Sequence, residues 1–244
     1  WSREQLLFLM SHDPDGFNRW DAGQRLAVDV IQSLVGAPDD ADIEPRLVEA
    51  YRKLISDTDL DQALVAKMLQ LPSEAYLIEL TENADVPAIH RARDSVLRHL
   101  AGALKGELID CYQRQQNSGP YEVTPEAIAR RSLRNTALAW LLMIDDEEGR
   151  GLAVSQLNAA DNMTDRMGAL RALVNSGYEA DRQKALDHFY DRFQDDPQVV
   201  EQWFSVQASS DQAGQLADIR KLLEHPAFDW KNPNKIRSVV GAFA

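Results

Sequence analysis

The sequence predicts an all-α chain, and two observations carry that prediction. Apolar residues recur at three- and four-residue intervals along nearly all of the 244 residues, which places them on single helix faces. Alternating apolar and polar runs of strand length are nearly absent. Ala27, Val30, Ile31 and Leu34 form one stripe. Leu97, Leu100, Ala101, Leu104, Leu108 and Cys111 form a second, and Leu133, Ala137, Trp140, Leu141 and Ile144 a third. Met163, Met167, Leu170 and Val174 follow, then Leu216, Ile219, Leu222 and Leu223.

Start and stop signals fall between these stripes. Ser73 with Glu74 opens a short helix after Pro72. Thr124-Pro125-Glu126 supplies an N-cap, a proline at the first helical position and an acid in the first turn. Asn162 caps a further helix, with Asp165 suited to its positive end. Gly36, Gly119 and Gly177 close or separate helices, and Asp57-Thr58-Asp59, Asp145-Asp146 and Asp195-Asp196-Pro197 mark tight junctions. These signals divide the chain into about a dozen helices. The longest is expected from about Pro87 to Asn117. From about residue 124 the helices are alike in length, about 12 to 18 residues, and come in pairs. That pattern resembles armadillo or HEAT solenoids, although no strict internal repeat is present. The expected organisation is therefore one domain over 1–244, an irregular bundle over 1–120 leading into a superhelix of antiparallel helix pairs over 121–244.

Composition narrows the function. Apolar residues make up 44%, enough to bury a core, and no run approaches the ~20 apolar residues of a membrane span. A formal charge of −13 and a pI near 4.8 disfavour nucleic acid as a partner. Cys111 is the single cysteine, so no internal disulfide forms, and with no export leader in view a cytoplasmic setting is expected. The chain opens on Trp1 and reads as a piece of a longer protein.

The search for catalytic chemistry returns no site. His12, His90, His99, His188 and His225 include no pair four residues apart and no His-Glu-x-x-His. His90 and His99 share one helix but lie about 13 Å apart along its axis, too far to share a metal. No nucleophile elbow, phosphate loop or dinucleotide fingerprint occurs. Cys111 lies in an apolar stripe and reads as a buried hydrophobe. Asp145-Asp146-Glu147-Glu148 reads as a solvated helix start. Two segments are less bland. One is the polar junction Asn158–Asp165; the other is Asn232-Pro233-Asn234-Lys235-Ile236-Arg237-Ser238, which opens a helix with Lys235 and Arg237 in its first turn. Cations there oppose the helix dipole, a conflict that either marks function or is resolved by Arg237 pairing with an acid on a neighbouring helix.

Four phrases, in this order and spacing, resemble the C-terminal helical domain of the bacterial aminopeptidase N family of gluzincin zinc metallopeptidases. They are Phe17-Asn18-Arg19-Trp20-Asp21-Ala22, Arg134-Asn135, Asp161-Asn162-Met163-Thr164-Asp165, and Lys231–Ser238 followed by Gly241-Ala242-Phe243-Ala244. The resemblance covers nearly the whole chain. It implies a non-catalytic domain of a membrane-alanyl-aminopeptidase-type hydrolase that releases N-terminal amino acids from small peptides. The zinc and catalytic residues would belong to an upstream catalytic domain of the same polypeptide, so this chain carries no catalytic or metal residue. The domain would cover the active site and shape the substrate chamber, with Arg237 facing the chamber and Asn234 positioning the loop. The family's domain continues beyond a Gly-Ala-Phe-Ala segment, so this chain is expected to stop short of the family's end and to self-associate. The alternative is a free-standing helical-repeat scaffold that binds a protein or peptide in a groove.

Overall fold

The capping signals read from the sequence are in place. Thr124 Oγ1 accepts the Ala127 N–H at 3.2 Å, Ser73 Oγ that of Tyr76 at 3.2 Å, and Asn162 Oδ1 that of Asp165 at 2.9 Å. Ser2 and Gln5 add a reciprocal capping box at the chain's first helix. The structure, a computed structural model, describes residues 1–37, 43–116, 119–212 and 215–244. Among them lie fourteen α-helices and one π-helical turn, and no strand. The chain forms two units, Trp1–Ile144 and Asp145–Ala244.

The first unit contains α1 (Arg3–His12), α2 (Gly16–Leu34), α3 (Pro45–Ser56), α4 (Gln62–Met68), α5 (Glu74–Glu79), α6 (Val86–Ala103), α7 (Lys105–Arg114) and α8 (Pro125–Met143). α1 packs on α2 and α3, α2 on α4 and α6, and α8 on α4, α6 and α7. Leu26, Ile31, Leu47, Tyr51, Leu69, Leu100 and Leu108 are fully buried between them. α8, which the sequence reading assigns to the repeat-like part, is held in this unit by its stripe of Leu133, Ala137, Leu138 and Leu141.

The long helix expected from Pro87 is instead two helices. α6 ends at Leu104, whose φ of −115° and ψ of 15° leave the helical region, and α7 starts immediately after. Glycines at 102 and 106 flank the break and weaken the helix there. Arg52 of α3 stabilises it, donating from Nη2 to the Ala103 carbonyl at 3.2 Å and from Nε to Glu107 Oε1 at 2.6 Å. Leu100, Leu104, Leu108 and Cys111 stay buried across the break, so the apolar stripe misleads about continuity while being right about burial. Asn117, the expected end, lies outside the described residues.

The second unit contains α9 (Glu147–Ala159), α10 (Met163–Val174), α11 (Glu179–Phe193), α12 (Pro197–Ala208), α13 (Gln215–Leu223) and α14 (Pro233–Ile236), which runs into the π-helical turn Arg237–Gly241. α9 to α12 are 13, 12, 15 and 12 residues long; each packs on the next helix, and α9, α10 and α12 pack also on the next but one. This is the contact pattern of stacked helix pairs. Ile219 and Leu222 of α13 are buried as expected, whereas Leu216 is 54% exposed. Gly177 is needed for close approach, since a Cβ there would lie 2.8 Å from Asp145 Oδ2. Asp145 itself sits at φ 49°, its carboxylate accepting the Gly177 N–H at 2.7 Å. Asp145-Asp146 is thus a cap and clasp: Asp146 caps α9 through the Gly149 N–H at 2.9 Å.

Candidate functional site

The segment Lys231–Ser238 is shaped by local hydrogen bonds. Asp229 Oδ1 accepts the Lys231 N–H, and Asn232 Oδ1 the Asn234 N–H, both at 2.9 Å. Pro233 occupies the first helical position of α14, where its missing N–H costs nothing. The helix lasts four residues before widening into the π turn, a geometry frequent at functional sites.

The two cations of this segment part company. Arg237 and Asn234 are exposed, while Lys235 is only 6% exposed. No described carboxylate forms an ion pair with Arg237, so its guanidinium is open to solvent rather than tied to a neighbouring helix. Lys235 turns inward with Ser238 and Val239, the i, i+3, i+4 face. Its Nζ donates to the Pro197 carbonyl at 3.3 Å and lies 5.3 Å from the centroid of the Phe204 ring. Burial pushes the ammonium below its ordinary pKa, and the attraction of Glu201 offsets this only in part.

His225 completes the surroundings. Its ring packs edge-on against Tyr190 at 4.9 Å and Phe204 at 5.6 Å, and against Trp203 at 5.2 Å. Its Nδ1 accepts the Ala227 N–H at 3.1 Å, which favours the tautomer protonated at Nε2. Burial, and then the charge of Lys235, hold its pKa below 6.5. The unfolded chain therefore binds a proton more readily than the folded one. His225 contributes stability that is complete above about pH 6.5 and is lost as pH falls through the lowered value. Thermal melts between pH 8 and 5 are expected to show this slope, and His225→Phe is expected to flatten it.

The other flagged segment has a structural account. Asn162 Nδ2 donates to Asp161 Oδ1 at 2.9 Å and to Asp165 Oδ2 at 2.8 Å, closing the turn into α10. Behind it Arg166 is 4% exposed. Its guanidinium donates to the carbonyls of Leu157, at 3.1 Å, and Ala160, at the end of α9. Sequence reasoning missed Arg166 and the burial of Lys235. The usable signal for Lys235 was its spacing from Val239.

The remaining candidates take ordinary places. His12, His90, His99 and His188 are exposed. His90 contacts Glu74 at 2.9 Å. Cys111 is buried and its thiol is pushed up to about 11 by desolvation. Among the described residues no three His, Cys, Asp or Glu side chains group as a metal site, and no helix is long and apolar enough to cross a membrane.

Residues 3–244 match the profile of a family described as a domain of unknown function, DUF3458_C, built of ARM repeats. The chain belongs to this family. ARM repeats are the helix-pair architecture that the helix lengths predict, and the domain matches the C-terminal part of known aminopeptidases. It is 36% identical to aminopeptidase N of Escherichia coli (strain K12) over 249 aligned residues, covering 100% of this chain and 28% of that protein. It is 35% identical to aminopeptidase N of Caulobacter vibrioides, over 97% of this chain and 27% of that protein. Among solved structures it resembles aminopeptidase A of Legionella pneumophila, determined in complex with aspartic acid. The TM-score is 0.87 at 28% identity, over 100% of this chain and 29% of that one. This DUF3458_C domain thus spans under a third of the length of the aminopeptidases it matches.

Proposed function

We propose that this chain is the non-catalytic C-terminal domain of a zinc-dependent aminopeptidase that removes N-terminal residues from small peptides in the cytoplasm. Its partner is the catalytic domain of the same polypeptide, whose active site it covers and whose substrate chamber it shapes. Asn234 and Arg237 line that chamber. The observation that carries this reading is the 36% identity to aminopeptidase N across the full chain. The exposure of Asn234 and Arg237, side by side on a segment held by internal caps, supports their part in it. A guanidinium free of carboxylate partners suits a peptide carbonyl or terminal carboxylate. No described group fits zinc, so no step of metal chemistry is assigned to these residues.

The test compares the purified 244-residue chain with the full-length protein by alanine-arylamide hydrolysis and zinc analysis. The full-length protein is expected to show turnover and stoichiometric zinc, and the isolated chain neither. Turnover that follows the isolated chain through purification, with bound zinc, would overturn the reading.

A further inference from the structure

The segment that carries Asn234 and Arg237 has little means of fixing its own direction. α14 is a single turn of four residues, and a helix that short is unstable without tertiary contacts. Its backbone hydrogen bonds are local: Asn232 N–H donates to the Asp229 carbonyl and Ile236 N–H to that of Asn232. Ser238 Oγ donates to the Lys235 carbonyl, again inside the segment. Val239 is fully buried, but an apolar contact is non-directional. Among the described residues, the one side-chain hydrogen bond from this segment to another helix is that of Lys235 Nζ to the Pro197 carbonyl, the first residue of α12.

Lys235 is a costly choice for packing alone. Lysine is almost never fully buried without a paired acid; here no described carboxylate lies within ion-pair range, Glu201 attracts the ammonium only from farther off, and the direct contacts are a carbonyl and a ring face. It also places a cation at the N-terminal end of α12, against the dipole. Methionine, similar in length and free of charge, would fill the same space without desolvation. What methionine cannot supply is direction. The carbonyl lone pair and the ring face each accept the ammonium only over a narrow range of approach.

We infer that Lys235 is a positioning residue, whose clamp between the Pro197 carbonyl and the Phe204 ring fixes the rotation of this segment so that Asn234 and Arg237 face outward together. The inference rests on the reading that those two residues line the substrate chamber. An inward-facing Lys235 forces Arg237, two positions on, toward the opposite side of the helix. Loss of the clamp leaves the segment packed on α12 and α13 around Val239 but its rotation less sharply fixed, so the guanidinium meets a peptide less often.

The test uses the full-length protein with Lys235→Met, measuring KM and kcat on a tripeptide and on an alanine arylamide, together with the melting temperature. The tripeptide KM is expected to rise about five- to tenfold more than the arylamide KM, with kcat little changed and the melting temperature not lowered. A lower melting temperature with the tripeptide KM unmoved would show Lys235 to be structural only and overturn the inference. Phe204→Leu removes the ring while keeping a branched apolar side chain in its place, and it must raise the same KM even if the methionine variant folds poorly. Arg237→Ala, run beside them, separates the two ideas. If it raises the tripeptide KM while neither clamp variant does, the positioning role alone fails. If it too is silent, the chamber reading has failed and takes the inference with it.

Discussion

Replacing Arg237 by alanine in the full-length protein is expected to lower kcat/KM for tripeptides roughly ten- to hundredfold more than for an alanine arylamide, the range of one or two charge-assisted hydrogen bonds. The asymmetry follows from reach. An arylamide presents one residue to the reacting centre and has no terminal carboxylate, whereas on the proposed reading a tripeptide would extend its carbonyls and carboxylate toward Arg237. Arg237 is exposed and no described carboxylate pairs with it, so its fork of donors is available without first breaking an ion pair. Arg237→Lys is expected to recover part of the loss, since it keeps the charge and loses the bidentate geometry. Competition kinetics with the two substrates measure the ratio directly. Equal losses on both would remove Arg237 from the substrate channel.

The largest stability effect is expected at Arg166. Its guanidinium is buried and meets the carbonyls of Leu157 and Ala160, which end α9 and otherwise lack helical partners. The positive charge sits at the negative end of that helix and stacks 5.8 Å from the Phe193 ring. Burial nonetheless pulls its pKa down, with Arg192 adding to the effect and Asp161 opposing it, so the charge is tolerated only because those acceptors are present. Arg166→Met removes the donors and leaves the buried Leu157 carbonyl and the half-buried Ala160 carbonyl without these partners. The cost is expected to be about 3 kcal/mol. In a unit of this size that corresponds to a fall in melting temperature on the order of 10 °C. Differential scanning calorimetry should show the loss, with Arg166→Lys intermediate. A methionine variant that melts within a degree or two of the parent would mean that the α9–α10 junction is held by Asn162 and Asp165 instead.

Much of the candidate site was legible before the structure. Asn232, Pro233 and the asparagine cap announce a helix start, and Lys235 and Arg237 announce a conflict with its dipole. The sequence could not resolve that conflict, because two cations in one turn look alike until a neighbouring helix is placed beside them. The structure resolves it by burying one and freeing the other. The same blindness hid Arg166. An arginine in an amphipathic stretch reads as solvated unless the carbonyls of the preceding helix end are known to converge on it.

The sequence by itself determined the all-α class, the buried stripes, and the helix starts at Ser73, Thr124, Asn162 and Asn232. Each of these depends on residues within about a turn of one another, and spacing and capping chemistry act at that range. Only the tertiary structure decided that the helix breaks at Leu104, that α8 packs with the first unit, and that Lys235 rather than Arg237 points inward. Those outcomes depend on partners far along the chain: the reach of Arg52 to Ala103, the helices facing Leu133 and Leu138, and a carbonyl at Pro197 that lies 38 residues from Lys235. A periodic pattern records that a face will be buried. It does not record what will lie against that face, and for a buried cation the acceptors placed there decide whether it can stay.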